Sequence, residues 1–510
     1  MSAVVFGERR LTIGDVVAAS RGGVAVDVTP ALLRRMRQAR ETLDDHLARD
    51  IPVYGLNTGM GANTGHRMTM QEAAAQQARL VLARAAGVGA PLPLKTCRAA
   101  LFCRLAGLAQ GGAGISMAVF DHLAAMLARD VVPVIPSRGS TGASDLVQAM
   151  SIAAAAIGEG QAYLDGRIVA AREALEAAGL APVDLAPKDG LSIGSTSSVS
   201  CAMAALALAE TEDLIAVHVA TAALACQGFG ANPHLFDEHA AAARSSGMQV
   251  EAAALFRRAL HGGDFFVRHA AKVQDPISFR ALPQVTGTLM AACAGAGREV
   301  EVELNAASDN PLVLAGEVQP TANFLTASLA LAFDALAIAV AQLATASAQR
   351  SIKLMTGRLS GLPNYLSPEG GVSAGFVPMQ KSLAALHAEI RLKATPASPD
   401  ALVVSDMVED LGSNSGLAVA KLREQLEPMR WLVSMEALTA AQAVDLRRDA
   451  EPGLTLGAAA GRIHREVRRA APRLEADRPT GPDAAEVHRR LWTGESAEAI
   501  RALLHPVDAH

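Results

Sequence analysis

The sequence predicts a mainly α-helical protein built on long helices that pack closely. Three observations carry this. Alanine dominates many segments, β-branched runs are short, and aromatic residues make up only 3 % of the chain. Small side chains of high helix propensity let helices approach one another, and a chain so poor in aromatic and β-branched residues has little from which to build a large sheet. At 510 residues the chain is long enough for a large core and for more than one domain.

The stretch LTIGDVVAASRGGVAVDVTPALLRRM (11–36) carries strand-like pieces followed by a helix that starts at Thr29-Pro30. A Gly-rich loop runs from Val53 to Gly65, and GEGQAYLDGRI (158–168) reads as a short hairpin with Asp165-Gly166 at its turn. Residues 199–228, 283–304, 321–357 and 413–446 have helical character, and Arg358 to Gly375 is a Gly/Pro-rich loop between two such helices. After Pro452 the chain is more charged and reads as a smaller helical cap. The expected division is therefore a small mixed N-terminal region over 1–198, a central bundle over 199–450 and a cap over 451–510.

Lys plus Arg number 46 against 51 Asp plus Glu, a net charge of -5 that gives no electrostatic reason to expect nucleic acid. A small molecule is the expected partner. The five cysteines, 97, 103, 201, 226 and 293, show no CxxC spacing and sit mostly in Ala/Leu-rich stretches, as reduced thiols of a cytoplasmic protein do. The N-terminus meets Glu8, Arg9 and Arg10 after a short apolar run and does not read as a secretory signal. The long apolar stretch from Phe324 approaches the length of a membrane span, but its alanines, Asp334 and Gln342 favour a helix inside a bundle.

Ordered motifs run along nearly the whole chain: YGLNTGMG (54–61), LVLARAAGVG (80–89), GSTGAS (139–144), IGEG (157–160), VQDPISFRALPQV (273–285), SDNPLV (308–313), NF (323–324), LPNYLSP (362–368), TPAS (395–398), VED (408–410) and AVDLRR (443–448). In this order they resemble the histidine/phenylalanine ammonia-lyase family. The resemblance implies a central antiparallel helix bundle and a homotetramer whose active sites combine residues from more than one subunit.

One motif departs from the family. There, an Ala-Ser-Gly segment cyclises with loss of two waters to the electrophile methylidene-imidazolone (MIO), through attack of the Gly nitrogen on the Ala carbonyl. Here Ala143 and Ser144 are followed directly by Asp145, and the interval to IGEG is one residue short, so the Gly is deleted. The segment Leu191 to Thr196 also lacks the Asn of the family's Asn-Gly-Thr, which supports the ring. MIO is therefore expected to be absent, and no metal or diffusible cofactor is expected.

A primary amine needs the electrophile because its lone pair adds to it, which turns a poor leaving group into a better one. A quaternary ammonium has no lone pair, and trimethylamine leaves as a neutral molecule. The expected substrate is therefore a histidine-derived betaine, as in the MIO-less branch of the family that releases trimethylamine from ergothioneine to give thiourocanate. By resemblance, Tyr54 removes the β-proton, a role in which a phenol of ordinary pKa about 10 must be activated by its surroundings. Arg280 grips the substrate carboxylate with its planar fork. Gln274 and Asn310 are polar supports, and Phe324 is a wall of the pocket. Lys381 and Glu409 are expected to be buried in a cleft, where each is costly alone and where both would orient the substrate or move its protons. Ile277 stands where the family carries a Tyr. Arg84 stands where histidine ammonia-lyases place the His that contacts imidazole, which suggests a sulfur-bearing or anionic side-chain end. Two other readings stay open: an MIO-type ammonia-lyase or aminomutase that uses Ala143, Ser144 and a neighbour, and a catalytically silent tetramer that binds a ligand.

Overall fold

The computed structural model describes residues 2–270, 272–399 and 402–505. It is 61 % helix and 8 % strand, which answers to the composition. The chain forms two compact units. The first comprises Met1–Ala209, Ala296–Asp334 and Pro396–Ala420; the second comprises Glu210–Gly295, Ala335–Thr395 and Lys421–His510.

In the first unit, strands Ser2–Phe6 and Val24–Val28 pair in parallel, with the helix Ile13–Ser20 between them in sequence. The next helix, Pro30–Ala48, starts after Thr29 with Pro at its first turn, where a missing N–H costs nothing. Strands Gln161–Leu164 and Arg167–Ala170 form the expected hairpin, and Asp165 (φ 49°) and Gly166 (φ 76°) make its left-handed turn. A second hairpin, Leu312–Leu314 with Glu317–Gln319, was not legible as strands within its motif. The helix Leu94–Ala109 is buried on all sides from Thr96 onward.

The four long helices are Ser198–Phe229, Leu282–Leu304, Ala327–Leu354 and Ser415–Ala450. The third is shorter at its start than the expected 321–357. Thr321 is held by Asp309 and Asn310, and Leu325 pairs with Ala143 as an isolated β-bridge, so residues 321–326 cannot join the helix.

Side-chain pairs give the helix directions. Ser197 meets Glu303 (2.7 Å) and His218 meets Thr286 (3.3 Å), so Leu282–Leu304 runs against Ser198–Phe229. Glu210 meets Arg430 and Gly228 meets Arg447, so Ser415–Ala450 runs with Ser198–Phe229. Gln425 bonds Ala337, and Glu436 bonds Arg350, so Ala327–Leu354 shares that direction. The helix Met379–Lys393 runs the other way, with Gln380 at Met355 and His387 at Thr345. Consecutive helices of this bundle therefore alternate in direction, as an antiparallel bundle requires.

Two stretches, Asp189–Phe229 and Ala327–Leu354, are long and apolar enough to cross a membrane. The first buries its whole apolar window within the chain, and the second carries the buried Asp334 and Arg350. The segment after Pro452 forms the helices Ala458–Ala470, Thr480–Leu491 and Gly494–Leu504. All five cysteines are buried and unpaired. Burial pushes the thiols of Cys97 and Cys293 up to about 12, which leaves them protonated near neutrality.

Buried amides tie the second unit together. The Nε2 of Gln425, fully buried, donates to the carbonyls of Ala337 and Ile390, each at 2.9 Å, so that one side chain serves two neighbouring helices. Gln425→Leu removes both bonds and should lower stability by about 1–3 kcal/mol, from a net worth of about 0.5–1.5 kcal/mol per hydrogen bond. Denaturant unfolding checks this; an unchanged midpoint would show that the clamp carries no weight.

Candidate active site

Of the expected site residues, Tyr54, Arg84, Ala143 to Asp145, Asn310, Phe324 and Glu409 belong to the first unit, and Gln274, Arg280 and Lys381 to the second. In the first unit Asp145, the loop of Tyr54 and the helix that ends at Arg84 each contact one buried segment, Lys188 to Ser197. The helix Asp189–Gly194 within it is buried at every residue.

Charges hold this segment from below. Arg104, fully buried, donates through Nη2 to the Ser192 carbonyl and to Asp309 Oδ1 (3.0 Å). Lys188 Nζ donates to the Ala113 carbonyl (2.6 Å) and to Ser192 Oγ (3.1 Å). Burial pushes this ammonium down to about 8, against the pull of Asp309. The Asp189 carboxylate accepts the Ser116 N–H (2.9 Å) and hydroxyl (2.7 Å) and the Ala186 N–H (2.9 Å). None of these residues was singled out from the sequence. A lone Arg inside ALFCRLAGLA was the available signal, since an unpaired charge in an apolar helix demands a partner.

The segment also meets three neighbouring elements. Leu191 packs against Gly55, where an added Cβ would lie 2.3 Å from Leu191 Cδ2 and where φ is +67°, so the loop that carries Tyr54 needs glycine here. Tyr54 is half-buried, and its hydroxyl oxygen accepts the Gly61 N–H at 3.1 Å. Gly190 donates to Gln77 Oε1 (3.1 Å) and so ties in the helix Met70–Arg84. Arg84, in the last turn of that helix, lines an open groove of about 390 Å³ with His66, Met68, Glu72 and Arg79.

The third contact is with Asp145. Its backbone N–H donates to the Thr196 carbonyl at 2.6 Å. Its carboxylate accepts the Ser200 N–H and the Ser200 hydroxyl, both at 2.7 Å, and so caps the start of the helix Ser198–Phe229. Asp145 is 1 % exposed. Burial pushes its carboxyl up from the ordinary range, and the bonds from Ser200 oppose this. Upstream, Ser144 is left-handed (φ 65°), Ala143 pairs with Leu325, and Gly142 lies against Ser413, whose hydroxyl donates to the Gly142 carbonyl at 3.0 Å.

Phe324, half-buried, immediately precedes Leu325 and so stands beside this segment. Asn310 is held through Oδ1 by the Thr321 N–H (3.1 Å), next to the Asp309 that pairs with Arg104. Glu409 closes a tight turn: it bridges Val404, and its carboxylate accepts the Ser405 hydroxyl at 2.8 Å. It is half-exposed, so the expected burial is not found. The left-handed run Ser405 to Met407 turns this tip outward.

In the second unit, Arg280 ends the short helix Ile277–Arg280 and donates to Gln274 Oε1. Arg280 is half-buried and Gln274 exposed. Ile277, in place of the family's Tyr, is 64 % exposed. Lys381 is also exposed, against expectation, because the helix Met379–Lys393 turns Met379, Leu383 and Ile390 inward.

Residues 11–469 match the family model described as aromatic amino acid lyase. A histidine ammonia-lyase of Anaeromyxobacter dehalogenans is 37 % identical over 508 residues, covering 97 % of this chain and 99 % of that one. The crystal structure of ergothionase from Treponema denticola, in complex with desmethyl-ergothioneine sulfonic acid, superposes with a TM-score of 0.93 at 30 % identity, over 99 % of this chain and 100 % of that one. Tyrosine aminomutase from Streptomyces globisporus superposes with a TM-score of 0.92 at 28 % identity, over the whole of both chains. With the family model matched over most of its length, this chain belongs to the aromatic amino acid lyase family of carbon–nitrogen lyases.

Proposed function

We propose that this lyase eliminates trimethylamine from a histidine-derived betaine, with ergothioneine as substrate and thiourocanate as product, and that it does so without MIO. The observation that supports this most is the environment of Asp145. Ring closure would need the nitrogen after Ser144 to reach the Ala143 carbonyl. In this chain that nitrogen belongs to a residue with a Cβ, and its hydrogen is given to Thr196. The same residue's carboxylate is committed to Ser200. The residues present do not fit the prosthetic group.

In the proposed reaction Tyr54 takes the β-proton, the C–H electron pair forms the double bond, and the C–N bond breaks with its electrons leaving on neutral trimethylamine. Arg280 holds the carboxylate, with Gln274 and Asn310 as polar supports and Phe324 as a wall. Lys381 hydrogen-bonds or protonates the thioimidazole, which draws electron density into the ring and acidifies the β-carbon. Glu409 addresses the same end of the substrate, and Arg84 with its groove favours a sulfur-bearing or anionic group. The exposure of Lys381 and Glu409 in one chain agrees with sites completed by other subunits of a cytoplasmic homotetramer. The second reading, an MIO-type histidine ammonia-lyase, draws its support from the names of the curated relatives.

Trimethylamine and ammonia should be assayed across histidine, hercynine and ergothioneine. Trimethylamine is expected from ergothioneine first and hercynine second, with histidine inert; ammonia from histidine would restore the MIO-type reading. Tyr54→Phe should lower turnover by about 10²–10⁴-fold, the usual worth of a general base, with little loss of binding. Sedimentation should show a tetramer, since Leu331, Val302 and Leu417 leave apolar surface on the long helices 64 %, 52 % and 51 % exposed. A monomer with full activity would contradict shared sites.

A further inference from the structure

The second unit contains a buried ion pair that the proposed reaction does not use. Arg350, on Ala327–Leu354, and Glu436, on Ser415–Ala450, are both fully buried. Arg350 Nε donates to Glu436 Oε1 at 2.6 Å and Nη2 donates to Oε2 at 2.9 Å, a bidentate fork, and the Ser347 hydroxyl donates to the same Oε2. The remaining nitrogen, Nη1, reaches outside the pair and donates to the Ser278 carbonyl at 3.3 Å.

Ser278 lies two residues before Arg280 in the single turn Ile277–Arg280. This turn has few backbone bonds of its own, from Phe279 and Arg280 to Pro276 and from Ala281 to Ile277, and joins the helix Leu282–Leu304 through Ala281, so its other contacts help to set its orientation. Phe279, fully buried, stacks on Phe229 with ring centroids 4.2 Å apart and planes 19° apart. Asp275, just upstream, accepts the Asn232 N–H at 2.7 Å. The Ser278 carbonyl is the third anchor, and it is held by the Arg350 guanidinium. Two bonds to Glu436 fix the guanidinium plane, and the third donor then points in one direction. Lysine at this position keeps the charge but cannot make the fork and the third bond together.

We propose that Arg350, oriented by Glu436, is a positioning residue that sets the aim of Arg280 toward the substrate carboxylate. The proposal rests on the reading that Arg280 binds that carboxylate. Its merely structural rival is that the pair only holds two helices together, and buried ion pairs are in general weak contributors to stability.

A double-mutant cycle separates the two. Kd for ergothioneine is measured by titration calorimetry on the full chain, with KM and kcat alongside, for wild type, Arg350→Lys, Arg280→Gln and the double variant. Arg350→Lys should raise Kd and KM by about tenfold with a smaller change in kcat, and should add less than about twofold once Arg280 is already Gln, the coupling expected of groups that act through one another. Should Arg350→Lys fail to fold, Ser347→Ala, which removes only the hydroxyl donor to Glu436, should raise Kd by about two- to threefold, again only when Arg280 is present. Equal losses in both Arg280 backgrounds, or an unchanged Kd, would overturn the proposal. A wild type that neither binds nor converts any betaine would instead remove the reading beneath it, and the same cycle run with histidine would then decide the role of Arg350.

Discussion

A backbone N–H has one hydrogen to give, and Asp145 gives its hydrogen to Thr196. Much of the first unit's site follows from that bond. It joins the segment Ala143 to Asp145 to the buried segment Lys188 to Ser197, on which the loop of Tyr54 and the helix of Arg84 also rest. The Asp145 carboxylate then caps the helix that begins at Ser198, so one residue links two elements through its main chain and its side chain. In the proposed account these bonds keep the two segments in register, and no electrophile is needed because the substrate carries its own leaving group.

Charge burial is the second theme. Arg104 with Asp309 and Arg350 with Glu436 are ion pairs in the interior, and Lys188 is buried there on the Ala113 carbonyl and the Ser192 hydroxyl; each ion is costly unless it is paired or hydrogen-bonded. Their partners are instructive. Arg104 spends a donor on the Ser192 carbonyl, in the segment that also meets Asp145, and Arg350 on the Ser278 carbonyl, in the turn that carries Arg280. These cations fix short, otherwise weakly defined backbone segments, a task that apolar packing performs poorly because it is not directional.

The large features were legible because they depend on repeated local signals. Alanine-rich periodicity located the long helices to within a few residues, and Asp165-Gly166 and Thr29-Pro30 marked their turn and helix start through local dihedral preferences. The start of Ala327–Leu354 was misjudged because a non-local pairing, Leu325 with Ala143, overrides helix propensity there. The buried network was not legible, since the pairings of Arg104 with Asp309 and Arg350 with Glu436 span 205 and 86 residues. The motifs point to Tyr54, Asn310, Phe324 and Arg280 as site residues but say nothing of exposure. In the single chain Lys381 is exposed and Glu409 half-exposed, because helix phase and a tight turn decide which way a charged residue faces.

The central claim is that the peptide bond after Ser144 stays open, and it is tested most directly by mass. Peptides spanning GSTGASDLVQ (139–148) should be mapped by mass spectrometry from the native protein, together with the intact mass. The account predicts the encoded mass for this peptide. A deficit of two waters localised to Ala143, Ser144 and Asp145 would contradict it and return the chain to electrophilic chemistry.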